Sequence, residues 1–264
     1  MFIYQGKTAL ITGASSGIGT TFARVLAAKG MNVILVARNE ARLRALATEI
    51  SEQFNVKAEV ITADLGREHS AQGVYDEVQR RGLTVDMLIN NAGFGTHGHF
   101  ETLDAARDHE EMMVNVVALV DLTHAFIPTM LKQGSGAIIN ISSTAGFQPL
   151  PYMAVYGSTK AFVISFSAAL AQEYRRRGIR VLALCPGATA TSFFDVVGTE
   201  DAAVGRKRTT EQVVATGLQA LERGRSVAVD GGANAFLANI VKPLPFSLAA
   251  WGGEIAMRPR GRRA

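Results

Sequence analysis

Seven short apolar runs, each separated from the next by a stretch of helix-forming sequence or a turn, constrain this chain more than any other feature. The runs fall at residues 8–11, 32–37, 56–62, 85–89, 136–141, 180–185 and 226–229; helical patterns occupy 20–29, 40–52, 67–81, 104–132, 156–177 and 209–223. A strand that is apolar on both faces has no side to present to water, so it belongs in a parallel sheet covered by helices on both faces. With right-handed crossovers the expected fold is α/β, a doubly wound parallel sheet of about seven strands.

No linker rich in proline, glycine or serine interrupts the alternation and no repeat is evident, so residues 1–264 read as a single domain. Two stretches depart from the pattern. Residues 187–208 set Phe193 and Phe194 among small and charged residues and read as a mobile substrate lid. Residues 233–264 form an apolar extension with a basic end. The single cysteine, Cys185, excludes an internal disulfide and a cysteine-rich metal site, which fits a reducing compartment. A net charge of +4 permits an anionic ligand. Much of the excess sits at Arg175, Arg176 and Arg177 and in the tail at Arg258, Arg260, Arg262 and Arg263, so nucleic acid is not an expected partner. Residues 1–7 are too few for a signal peptide ahead of the first strand, and no uninterrupted apolar run has membrane-spanning length. The expectation is a soluble, cytoplasmic protein.

Gly13-Ala14-Ser15-Ser16-Gly17-Ile18-Gly19 joins the first strand to the first helix. Glycines let a backbone approach a pyrophosphate closely, and the helix amino terminus adds free N–H donors and positive partial charge. The spacing is GxxxGxG rather than GxGxxG. The second strand ends at Ala37-Arg38 where a carboxylate would receive a free ribose 2′-hydroxyl. An arginine fork suits a 2′-phosphate instead, so the expected cofactor is NADP(H).

Tyr156 and Lys160 are four apart in the helical stretch 156–177 and share one of its faces. A cation about 4 Å from a phenol favours the phenolate by roughly 4 kcal/mol at an effective dielectric of about 20. On that arithmetic Lys160 lowers the Tyr156 pKa and lets the tyrosine exchange a proton near neutrality.

TGASSGIG at residues 12–19, NNAG at 90–93, Asn115, Ser143, the YxxxK pair and Pro186-Gly187 together resemble the short-chain dehydrogenase/reductase family, in its NADP-preferring form, from about Lys7 to Asp230. The resemblance implies a Rossmann-type domain and a catalytic set of Asn115, Ser143, Tyr156 and Lys160. Tyr156 gives a proton to the carbonyl oxygen or takes it back, Ser143 hydrogen-bonds that oxygen, Lys160 bonds the nicotinamide ribose, and Asn115 holds a water in a proton relay. Ser143, rather than Ser142, has the family's position thirteen residues before the tyrosine. For the cofactor it implies Gly13, Ser15, Ser16, Gly17, Ile18, Gly19 and Arg38, with Asp64 and Leu65 at the adenine. Asn91, Ala92 and Gly93 lie along the ribose, and Pro186, Gly187, Thr189 and Thr191 around the nicotinamide amide.

On the substrate side Phe94, Phe100, Phe147, Leu150, Tyr152, Met153, Phe193 and Phe194 suggest an apolar or aromatic carbonyl compound. His97 and His99 lack companion ligands, and no metal is expected. The expected activity is NADPH-dependent reduction of an apolar ketone or aldehyde, reversible in principle. The alternatives are a 3-oxoacyl-thioester reductase, with Arg175–Arg177 or Arg206–Arg208 as docking cations, and a non-catalytic NADPH sensor. The long helices at 104–132 and 156–177 imply a homodimer or homotetramer. The apolar tail is expected to cover a neighbouring subunit or the cleft in preference to resting weakly on a membrane surface.

Overall fold

A computed structural model of the chain describes residues 2–199 and 205–259. Its strands are β1 (Thr8–Thr12), β2 (Asn32–Ala37), β3 (Ala58–Thr62), β4 (Met87–Asn90), β5 (Gly136–Ile141), β6 (Ile179–Cys185) and β7 (Val227–Val229). They form one parallel sheet in the order 3-2-1-4-5-6-7. Residues of each strand alternate between two cores. Ala9, Ile11, Val33, Leu35, Ile89 and Ile139 face helices α1 (Gly17–Ala28), α2 (Glu40–Phe54) and α8 (Thr210–Glu222). Leu10, Ile34, Val36, Leu88 and Ile138 face α3 (Ser70–Arg80) and the long helices that follow β4 and β5. The sheet order reverses between β1 and β4, which opens a crevice at their carboxyl ends.

The segment expected as one helix over 104–132 is divided into α4 (Ala105–Met112), a π-helical turn (Met113–Val117) and α5 (Ala118–Lys132). A π turn inserts one residue into the helical repeat, and here it carries Asn115 inward to 1% exposure. Helix α6 (Ala154–Tyr174) begins two residues before Tyr156 and stops short of the arginines, ahead of Gly178 with φ +82°. Buried amides pin these helices to the sheet. Asn90 Nδ2 donates to Asn140 Oδ1 at 2.9 Å and to Thr123 on α5 at 3.0 Å, and Asn140 Nδ2 donates to Ser167 on α6 at 2.9 Å. Ala105–Lys132 and Ala154–Tyr174 do have the length and hydropathy of a membrane span, unlike the expectation, but both pack along the sheet.

The lid region contains a short helix, α7 (Phe193–Val197), and the apolar extension forms α9 (Gly232–Val241) and α10 (Phe246–Met257). Residues 200–204 of the lid and Arg260, Arg262 and Arg263 of the tail lie outside the described residues.

Glu111 on α4 is fully buried, and its Oε1 has no hydrogen-bond partner. Its Oε2 and Asp108 Oδ1 lie 3.0 and 2.9 Å from the same Thr96 hydroxyl. One hydroxyl proton cannot serve two acceptors, and a proton on Glu111 resolves the conflict by donating to Thr96 while Thr96 donates to Asp108. Burial pushes the Glu111 carboxyl up to about 7; the Thr96 contact opposes the rise and the Asp108 carboxylate adds to it. Because the folded pKa is raised, this group's contribution to stability is complete below the unfolded carboxyl range and is lost as pH rises through about 7. Glu111→Gln, which stays neutral, is expected to gain on the native protein between pH 5 and 8 by up to about 3 kcal/mol. Urea unfolding at the two pH values measures it, and a difference independent of pH contradicts the assignment.

Candidate active site

The turn after β1 is built by backbone groups that the sheet leaves unpaired. Thr12 Oγ1 accepts from the N–H of Asn91 at 2.9 Å and of Ala92 at 3.0 Å, while Asn91 Nδ2 donates to the carbonyls of Thr12 at 2.8 Å and Gly13 at 3.3 Å. This ties the ends of β1 and β4 together. A Cβ on Gly19 would stand 2.4 Å from the Gly13 carbonyl oxygen and 2.6 Å from Asn91 Nδ2, so only glycine lets α1 begin here. Gly17 takes φ +55°, and a Cβ there would press on Thr191 at 3.0 Å. The resulting side-chain-free cradle at a helix amino terminus fits the pyrophosphate of a dinucleotide.

A cleft of about 1110 Å³ runs from this turn to the end of β5. Every site residue expected from the sequence lines it except Gly19 and Asn115, which stand behind its wall. At the adenosine end Arg38 is exposed, with Nη1 3.3 Å from Glu110 Oε1. Glu110 also pairs with Arg107, whose guanidinium lies 3.8 Å from the centre of the Phe94 ring. Neither Glu110 nor Arg107 carries a sequence signal for this place, because α4 reaches the cleft only through the tertiary fold. Asp64 Oδ1 accepts from the Gly66 N–H at 3.2 Å, shaping the loop after β3.

At the other end Ser143 follows β5 and Tyr156 and Lys160 rise from α6. Ser142 Oγ donates to the Lys160 carbonyl at 2.7 Å and is buried, whereas Ser143 lines the cleft beside Tyr156. Lys160 is 5% exposed; its Nζ donates to the Ile141 carbonyl at 3.0 Å and lies 5.6 Å from the centre of the Tyr156 ring. The expected lowering of the tyrosine pKa by Lys160 is therefore corrected. Burial pushes the Tyr156 phenol up to about 12, opposed by the Ser143 hydrogen bond and assisted by the Glu111 carboxylate. Burial also brings the Lys160 ammonium down to about 8, with Glu111 opposing. In this site desolvation outweighs the Coulombic attraction counted from spacing.

The Asn115 amide makes three hydrogen bonds to the protein. Its Oδ1 accepts from the Phe94 N–H at 3.2 Å, and its Nδ2 donates to the Phe94 carbonyl at 2.9 Å and to Thr159 at 3.1 Å. It braces the loop after β4 against α6. A Cβ on Gly93 would meet Asn115 Oδ1 at 2.8 Å and Lys160 Nζ at 3.3 Å, so these two residues converge on one backbone position.

Phe94, Phe147, Leu150, Met153, Phe193 and Phe194 line the substrate side, and the Phe193 ring lies 5.4 Å from that of Tyr156. Phe100 and Tyr152 do not line it: Phe100 is exposed, and Tyr152 packs edge-on against His99. His97 Nε2 sits 2.9 Å from the Met257 carbonyl. Leu237, Val241, Ala256 and Met257 of α9 and α10 complete the wall, which is one of the two protein contacts expected of the apolar tail. Arg208, considered above as a docking cation, is instead held by the fully buried Asp230, which also accepts from Thr216 at 2.6 Å. That ion pair anchors the end of the 187–208 segment; Arg206 and Arg208 both line the cleft.

A family model described as short chain dehydrogenase matches residues 7–202. A very-long-chain 3-oxoacyl-CoA reductase of Anas platyrhynchos is 36% identical over 192 residues, covering 70% of this chain and 61% of that relative, so the match leaves much of the longer protein unmatched. A short-chain dehydrogenase from Sphingobium yanoikuyae, solved in complex with NADPH, superimposes with a TM-score of 0.82 at 32% identity over 98% of each chain. A bulky-bulky ketone specific alcohol dehydrogenase from Comamonas testosteroni gives 0.78 at 32% identity over 98% of this chain and 97% of its own. Sheet order, dinucleotide cradle and sequence similarity agree, and the chain belongs to the short-chain dehydrogenase family of nicotinamide-dependent oxidoreductases.

Proposed function

We propose that this protein is an NADPH-dependent reductase of bulky, apolar ketones or aldehydes, with Tyr156 as its acid. The observation that carries the reading is the convergence of Ser143, Tyr156 and Lys160 at the base of a cleft walled by Phe147, Leu150, Met153, Phe193 and Leu237. The glycine turn and the start of α1 hold the pyrophosphate, and Arg38 takes the 2′-phosphate in exchange for Glu110. The nicotinamide, when bound, supplies the hydride. Ser143 Oγ donates a hydrogen bond to the substrate carbonyl oxygen, and Tyr156 passes its phenolic proton to that oxygen as negative charge develops. A phenol raised to about 12 is fully protonated at neutral pH, which suits an acid in the reducing direction. Lys160 hydrogen-bonds the nicotinamide ribose and stabilises the phenolate left behind.

A second reading, reduction of a 3-oxoacyl thioester, is favoured by the name of the Anas platyrhynchos relative and by Arg206 at the cleft. Nicotinamide absorbance with a panel of bulky ketones, aldehydes and 3-oxoacyl thioesters separates the two. We also assign self-association to the outer face of α6, where the exposed Phe162 stacks on Phe166 at 5.6 Å.

Three outcomes are expected. Tyr156→Phe retains NADPH binding and loses about 100-fold or more in kcat; turnover near the native rate removes Tyr156 from the chemistry. Arg38→Ala raises KM for NADPH about tenfold or more and leaves that for NADH unchanged; equal changes for both cofactors count against the 2′-phosphate site. The kcat/KM for reduction declines as pH rises through about 8, where Lys160 loses its charge. A profile flat to pH 10 excludes that dependence.

A further inference from the structure

Helices α9 and α10 combine two properties that a water-facing surface does not usually share. On α10 Ala249, Gly253 and Met257 form the buried stripe, packed against the loop of Pro149 and Pro151. At 100° per residue, Leu248, Trp251 and Ile255 lie on the opposite side, and they are 48%, 61% and 59% exposed. On α9 Ala238 is buried, while Phe236 and Ile240 point the other way and are exposed. Leu244 in the connection between the helices and Phe246 at the start of α10 are exposed as well. Both helices are thus apolar on the side away from the protein.

The charge of the chain is concentrated in the same region. Residues 231–264 contain five cations, Lys242, Arg258, Arg260, Arg262 and Arg263, against one anion, Glu254, a net of +4 that equals the net charge of the whole chain. Residues 1–230 are therefore neutral overall. An isologous dimer through this face would set one such cationic segment against its own copy, which like-charge repulsion disfavours. An apolar face that carries exposed aromatics, in a segment whose sequence is net positive, matches the boundary of a bilayer with anionic headgroups.

We propose that the outer face of α9 and α10 docks on the surface of an anionic lipid bilayer, with the basic tail held at the headgroups. The tail is expected to cover a neighbouring subunit or the cleft; its inner face does line the cleft, and the proposal departs from that expectation for the outer face alone. The same helices wall the cleft from inside through Leu237, Val241 and Met257, so docking places the substrate side next to the lipid. The inference does not depend on which carbonyl compound the cleft accepts.

Trp251 is the only tryptophan in the chain, so its fluorescence reports on this face alone. The full-length protein is titrated with phosphatidylcholine vesicles, with and without phosphatidylglycerol. The expected result is a blue shift of Trp251 emission and quenching by brominated lipid, with partitioning about tenfold or more stronger onto the anionic vesicles and weakened by salt. Leu248→Glu with Ile255→Glu, both outside the cleft, should abolish binding while leaving turnover of a water-soluble ketone unchanged. Emission unaltered by either vesicle overturns the proposal. So does a light-scattering mass that falls on the double substitution while vesicle binding is absent, because the partner is then a second copy. Should the double variant fail to fold, the brominated-lipid measurement on the native protein decides alone.

Discussion

A parallel sheet must end, and where it ends its last carbonyls and N–H groups lose their ladder partners in a region too buried for water to replace them. Much of the site is made from what satisfies those groups. Thr12 Oγ1 takes the N–H of Asn91 and Ala92, the Asn91 amide takes the carbonyls of Thr12 and Gly13, and Lys160 Nζ takes that of Ile141. Ser142 caps the Lys160 carbonyl in turn, and the Thr144 N–H reaches Pro186. Residues that close the carboxyl edge of the sheet thereby hold the glycine turn and Lys160 in register with each other. A substitution at Asn91 or Ser142 therefore acts on fold and site together.

Burial sets the electrostatics of that edge. Tyr156 and Lys160 are both almost inaccessible, and each is driven toward its neutral form, the phenol upward and the ammonium downward. In its ionised form Glu111 acts on both from α4, raising the phenol further and supporting the ammonium. Preorganisation here consists of positions rather than of finished pKa values.

The strand runs are legible because buried parallel strands are apolar on both faces, and the sheet they form follows from the crossover rule. β2 and β5 fall on the expected boundaries, since Asn32–Ala37 and Gly136–Ile141 are bounded by polar or glycine residues. The π-helical turn is not legible, because the periodicity of residues 104–132 continues through it and only the burial of Asn115 reveals the extra residue. In the site, the strand-to-helix turn Gly13 to Gly19 and the pair Tyr156 and Lys160, four apart on α6, are readable from spacing. Glu110 and Arg107 are not, since α4 reaches the cleft from a place distant in sequence, and neither is Asp230, which holds Arg208 from beneath. The tyrosine pKa fails for a related reason: a spacing of four fixes a shared face but neither the distance nor the dielectric between the groups.

Those unreadable residues also show how the two ends of the cleft are held by one strut. Arg38 meets Glu110, Glu110 pairs with Arg107, and Arg107 covers the ring of Phe94. The Phe94 backbone is clamped by Asn115, whose amide reaches Thr159, and Thr159 donates to the Tyr156 carbonyl at 2.8 Å. Helix α4 supplies the polar residues at one end of this series and the π-helical turn supplies Asn115 at the other. Because the turn breaks the regular hydrogen-bond ladder between α4 and α5, α4 is placed by the contacts of its side chains as well as by the helix that follows it. The orientation of Glu110 toward the adenosine end and of Asn115 toward the catalytic end are then two consequences of one local packing arrangement, and neither can be altered without loading the other.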